Sequence, residues 1–166
     1  LIQICDEKGN VYIIQPNKNN YKAPNLVSVL ENEKVLKIGH FLRFDKNALE
    51  FFLKCKIKNI FDTKIASKIA RTYTDKHSLK SLCEELLNIS LSKEEQSSDW
   101  GAKKLTESQK KYAANDVIYL HKIKGCLDSM LERENRIDLA KSCFEFINTQ
   151  AELDLRGWGN QNIFDH

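Results

Sequence analysis

The chain has 166 residues, of which 42% are hydrophobic and 30% charged, with a formal net charge of +3; this is the balance of one soluble domain long enough to bury a core, and it permits an anionic partner without arguing for one. Its five cysteines, Cys5, Cys55, Cys83, Cys126 and Cys143, form no C-x-x-C pair, which disfavours a disulfide framework or a zinc site and suits a reducing, cytoplasmic setting in which they serve as small buried hydrophobes. No apolar run is long enough to cross a membrane, and no segment reads as a secretory signal.

Leu1–Cys5 alternates in strand fashion, residues 6–10 supply turn chemistry and Val11–Ile14 follows, so a hairpin is expected. The chain opens directly in a strand, which carries the expectation that the domain continues upstream. After a polar loop from Pro16 to Pro24, proline opens a short helix over Asn25–Glu31. Val35–Gly39 reads as a short strand, followed by a helix from about Arg43 to Lys54. Lys58–Asp62 is another strand, with Thr63 placed to cap a helix running to about Arg71.

The next helix starts at His77-Ser78-Leu79, where Leu79, Leu82, Cys83, Leu86 and Leu87 recur at helical spacing. A polar stretch from Ser92 to Lys104 contains Trp100. Thr106-x-x-Gln109 forms a capping box that opens one long helix to about Glu134. A last helix covers roughly Arg136–Ile147, before a tail with Trp158 and Phe164. Strands, then strand–helix alternation, then helices indicate an α/β fold with a mixed sheet flanked by helices. With no repeat and no Gly/Ser linker, residues 1–166 read as one domain.

Within the long helix, Tyr112 and Asp116 lie one turn apart on one face, with two small alanines between them leaving that face open. A carboxylate there can hold a divalent metal, and the phenol can position a water beside it. Asp45 falls in the first turn of a helix just past a strand end, where open α/β sheets place ligands; taken alone, complementing the helix dipole is the better explanation of it. Asp62, at another strand end, reads as a turn or cap residue. Trp100 sits in polar sequence just before the key helix, so beside its reading as a packing anchor it is a candidate lining of a substrate groove.

Four segments in order, Gly39-His40-Phe41-Leu42-Arg43-Phe44-Asp45, Ser78-Leu79-Lys80-Ser81-Leu82, Gln96-Ser97-Ser98-Asp99-Trp100 and Tyr112-Ala113-Ala114-Asn115-Asp116, resemble the ribonuclease D-like 3′–5′ exonucleases, the DEDD branch with a tyrosine in its last motif. The likeness is nearest to the small bacterial nano-RNase C type, on Lys22–Val27, His40-Phe41-x-Arg43-Phe44-Asp45, Thr63–Ser67, Arg71–Asp75 and Asp154-Leu155-x-Gly157-Trp158. The resemblance implies a ribonuclease H-like (DnaQ-like) fold and a homo-octameric ring. The implied substrate is very short single-stranded RNA, notably dinucleotides, possibly DNA. It further implies phosphodiester hydrolysis with two Mg²⁺ or Mn²⁺ ions about 4 Å apart. Asp45 and Asp116 would be metal ligands and, with Tyr112, the catalytic residues; His40, Phe41, Arg43 and Trp100 would contact base or phosphate.

The family's first motif, Asp-x-Glu, is absent from these 166 residues. The resemblance puts it on a strand preceding Leu1, so the expectation is an N-terminally incomplete domain with half a metal site, poorly active until roughly thirty upstream residues are restored. Two other readings stand beside this one. One is a general exonuclease on longer RNA or DNA, for which Lys54, Lys56 and Lys58 would have to form a basic track. The other is a non-catalytic nucleic-acid-binding relative.

Overall fold

In the computed structural model, residues 1–17, 20–91, 98–159 and 161–165 are described; Gln96 and Ser97 of the Gln96–Trp100 segment lie outside them. Strand alternation in the first residues gives a hairpin: β1 (Ile2–Cys5) pairs antiparallel with β2 (Val11–Ile14), Ile2 opposite Ile14 and Cys5 opposite Val11. Asp6 closes its turn by accepting from the Lys8 and Asn10 amides at 3.0 and 2.8 Å, and Gly9 takes a left-handed φ of 86° that a side chain would resist. The second ladder is parallel. In it β3 (Lys37–Gly39) pairs with β4 (Ile60–Asp62), and Gly39 stands opposite Asp62.

Seven α-helices surround these ladders among the described residues: α1 (Pro24–Glu31), α2 (Leu42–Leu53), α3 (Thr63–Ala70), α4 (Leu79–Leu87), α5 (Glu107–Asn115), α6 (Leu120–Arg133) and α7 (Ile137–Leu153). α5 packs on the hairpin, while α6 and α7 cover the parallel pair. Antiparallel and parallel pairing thus both occur, as the mixed sheet requires, but in two separate ladders with their own helical cover. Leu120, Ile123, Leu127 and Leu131 make one buried stripe along α6, at the spacing that faces a core. Ile123, Leu127 and Leu131 of that stripe share one core cluster with Phe61, Ala66, Leu82, Phe144 and Ile147. Burying one such leucine contributes about 1.5–3 kcal/mol.

Three boundaries differ from the sequence reading. The single helix expected from Thr106 to Glu134 is two helices, broken over residues 116–119. There the Asp116 and Val117 amides bond to the carbonyls of Ala113 and Ala114, one residue short of the α-helical partner. Asn115, Asp116, Val117 and Ile118 are weak helix formers in succession. α3 is capped by Asp62, which accepts from Lys64 and Ile65, and not by Thr63, which is already its first residue. The last helix continues past Ile147 to Leu153, because Phe144, Ile147 and Ala151 extend one buried stripe. A π-helical turn over Asp154–Trp158 follows, with Gly157 at a φ of 105°.

All five cysteines are free thiols; Cys55 and Cys83 are buried, whereas Cys5, Cys126 and Cys143 are only half-buried. No described helix is long and apolar enough to cross a membrane.

Candidate active site

The first carboxylate is delivered by the turn between β3 and α2. A Cβ added at Gly39 would lie 2.2 Å from Leu42 Cδ2, so the fold of Leu42 back over the strand end depends on glycine. Phe41 turns the chain at φ 66°, ψ 50°, a left-handed conformation that a bulky residue rarely adopts. Asp62, 1% exposed, holds this turn from the neighbouring strand. It accepts from the Phe41 and Leu42 amides at 3.2 and 2.7 Å, and from those of Lys64 and Ile65 at 2.8 and 3.1 Å. One carboxylate therefore satisfies orphan N–H groups of two helix N-termini.

Asp45 lies in the first turn of α2. It remains accessible to solvent, yet its carboxyl is held above the usual range. Loss of hydration to the surrounding protein is the larger cause; the charge of Asp62 adds to it, and its own backbone amide opposes both.

His40 precedes the turn, half-buried, with Nδ1 2.9 Å from Thr63 Oγ1. Burial depresses its pKa to about 4, opposed by Asp62 and reinforced by Lys64, so the imidazole is neutral near pH 7. The exposed Phe41 ring meets Phe44 edge-on at 5.1 Å and carries the Lys64 ammonium 3.9 Å from its centroid. Arg43 points its guanidinium at Asp154. Nε donates to Oδ2 at 2.6 Å and a second contact joins Nη2 to Oδ1, while Asn47 donates to the same carboxylate at 2.9 Å. That fork latches α2 to the π-helical turn and holds the Asp154 carboxyl below its usual range.

The second carboxylate sits where α5 ends. The capping box forms as the sequence indicates, with the Gln109 amide donating to Thr106 Oγ1 at 3.1 Å and the Thr106 amide to Gln109 Oε1 at 2.8 Å. The other half of the Gln109 side chain donates to Ser98 Oγ at 2.7 Å and to the Asp99 carbonyl at 3.1 Å. This draws in the loop bearing Trp100, whose ring lies 5.8 Å from that of Tyr112. Ala113 is fully buried, so only part of the small-residue face stays open. The Tyr112 phenol is raised above its ordinary pKa by burial and then by Asp116. The Asp116 carboxyl, solvent-accessible at the helix end, is raised by burial and then by the charge of Asp45.

The fold thus gathers Asp45, Asp116, Tyr112 and Trp100, with His40 and Phe41 on the adjoining turn, and ties Arg43 to Asp154. Among the described residues no group of three or more His, Cys, Asp or Glu is arranged to hold a metal ion. The fit of a hard divalent cation rests on two carboxylates that burial and neighbouring acidic charge, Asp62 at Asp45 and Asp45 at Asp116, disfavour as anions, a donor set such a cation relieves. Gln109 was legible in the sequence only as a cap; its second amide contact was not. Arg71, in another family segment, is a fully buried strut that donates to Ser67 Oγ at 3.1 Å and the Lys76 carbonyl at 2.9 Å and pairs with Glu85. Of the three lysines that would form a basic track, Lys54 lies 4.5 Å from the Phe51 ring centroid, Lys56 3.4 Å from Glu50 and Lys58 2.8 Å from Glu33.

A family profile described as 3′-5′ exonuclease matches residues 1–132. DNA polymerase I of Aquifex aeolicus is 38% identical over 133 residues, covering 79% of this chain and 22% of that protein. Ribonuclease D of Pseudomonas paraeruginosa is 35% identical over 162 residues, covering 94% of this chain and 41% of that protein. The chain therefore spans less than half the length of either relative. Among solved structures, Brucella melitensis NrnC bound to pGG is similar at a TM-score of 0.94 with 48% identity, over 99% of this chain and 79% of that one. Brucella melitensis NrnC with bound Mg²⁺ is similar at a TM-score of 0.82 with 49% identity, over 87% of this chain and 70% of that one.

Proposed function

The chain belongs to the 3′–5′ exonuclease family, and from that premise we propose that it hydrolyses very short RNA, dinucleotides above all, with divalent metal held at Asp45 and Asp116. The reading is supported by the position of Asp45, in a strand-end turn, near enough to Asp116, at the end of α5, for its charge to raise that carboxyl, with Tyr112 one turn before Asp116 on the same helix. Bound Mg²⁺ or Mn²⁺ would supply charge stabilisation and an activated water.

The chain's own groups divide the remaining work. Tyr112, its phenol pKa raised, keeps its proton at neutral pH and orients the attacking water by hydrogen bonding. Trp100 packs against it and offers an aromatic face to a base. Neutral His40 serves as a hydrogen-bonding group, and the exposed Phe41 ring as a stacking surface. Preference for short RNA is supported by likeness to a structure bound to pGG, and by three lysines already engaged locally instead of aligned along a strand. We extend the reading to a homo-oligomer, for which exposed Phe44, Phe51 and Phe52 on α2 offer apolar surface. Ribonuclease D relatives favour a second reading, a general exonuclease on longer RNA or DNA.

Turnover of a dinucleotide and of a long oligomer, compared at saturating Mg²⁺, tests the proposal. Faster consumption of the dinucleotide is expected. Preference for the long strand would replace the first reading by the second, and hydrolysis of neither with Mg²⁺ or Mn²⁺, by the 166 residues or with roughly thirty upstream residues restored, would leave a non-catalytic nucleic-acid-binding protein.

A further inference from the structure

We infer that Asp62 is a positioning residue for this site: its buried carboxylate holds the β3–α2 turn in the shape that presents Asp45 to Asp116. The inference rests on the exonuclease reading of that pair. Parallel register sets Asp62 opposite Gly39, the last residue before the turn. From there its Oδ1 accepts from Phe41, Lys64 and Ile65, and its Oδ2 from Leu42.

Each of these bonds has a structural consequence. A phenylalanine at φ 66° reverts toward extended or right-handed backbone unless its amide is held. Leu42 is the first residue of α2, so its amide fixes where the helix starts and how its first turn is rotated. Asp45 lies in that turn, and its carboxylate follows any rotation. Thr63 adds a second clasp by donating to the Gly39 carbonyl at 3.0 Å.

Asp62→Asn separates these roles. An amide oriented with its oxygen toward Phe41, Lys64 and Ile65 keeps three acceptor bonds, but sets an NH₂ against the Leu42 N–H. The expected result is a fall in kcat on short RNA of about 10–100-fold, a roughly tenfold rise in the Mg²⁺ needed for half-maximal rate, an unchanged KM and faster exchange of the Leu42 amide. A variant with a lowered melting temperature but normal kcat and Mg²⁺ requirement would overturn the inference. Asp45→Asn, run alongside, keeps the two readings apart. If it stays active, the exonuclease reading fails; if it is inactive while Asp62→Asn is normal, only the positioning role fails. Should Asp62→Asn not fold, hydrogen exchange of the native protein decides. Mg²⁺ should slow exchange at Phe41 and Leu42, and unchanged rates there would contradict the inference.

Discussion

Asp45 arrives on a turn clasped to its neighbouring strand, whereas Asp116 arrives where a helix gives out. Around Asp45, the glycine at position 39, the left-handed Phe41, the Thr63 hydroxyl and the four-amide grip of Asp62 all converge on one backbone shape. Around Asp116 no such grip occurs among the described residues. Position comes from a capping box one helix length upstream, a buried Ala113 and the Trp100–Tyr112 contact. The first region holds its carboxylate by hydrogen bonds across a parallel strand pair. The second does so by aromatic packing and an amide that serves as both cap and loop tether. That second region leaves a half-buried phenol and a solvent-exposed carboxylate at a helix end.

Tyr112→Phe probes the second region with the larger effect. Removing one hydroxyl should lower kcat about a hundredfold while moving stability by no more than about 0.5 kcal/mol. Full activity in this variant would reduce that region to a scaffold for Asp116.

A smaller effect belongs to the first region and is read against pH. With its pKa at about 4 in the fold, His40 stays neutral where the unfolded chain's imidazole, titrating near 6.5, takes up a proton. Stability should therefore fall as pH drops from about 6.5 toward 4 and level off below, by at most about 3 kcal/mol. Asp45 and Asp116, whose pKa values are raised, act in the opposite sense: their ionised forms burden the fold, and protonation relieves it. The informative quantity is thus the difference between native and His40→Gln denaturant melts, with the variant showing the flatter acid limb. Equal slopes would mean that the first region is not dehydrated around His40.

What the sequence revealed differs between the regions for physical reasons. The capping box of Thr106 and Gln109 was legible because its partners lie within one turn. Gly39 and Asp45 were legible because a strand end followed by an acidic first turn leaves a local pattern. The break after Asn115 was not: no Pro or Gly marks it, and apolar spacing continues through Val117, Ile118 and Leu120. The fourfold role of Asp62 depends on strand register, and the tie of Arg43 to Asp154 joins segments far apart in the chain. Local spacing encodes neither: Arg43 reads as a substrate contact in the motif, and its tie to the C-terminal turn comes only from the fold.

We propose that Asp45 and Asp116 form one cation-binding exonuclease site. Its most direct test is release of mononucleotides from short RNA across a Mg²⁺ titration, by the native protein and by Asp45→Asn and Asp116→Asn. Hydrolysis should require Mg²⁺ and fall at least about 100-fold in each folded variant. Undiminished hydrolysis in either variant, or hydrolysis independent of divalent metal, would contradict it.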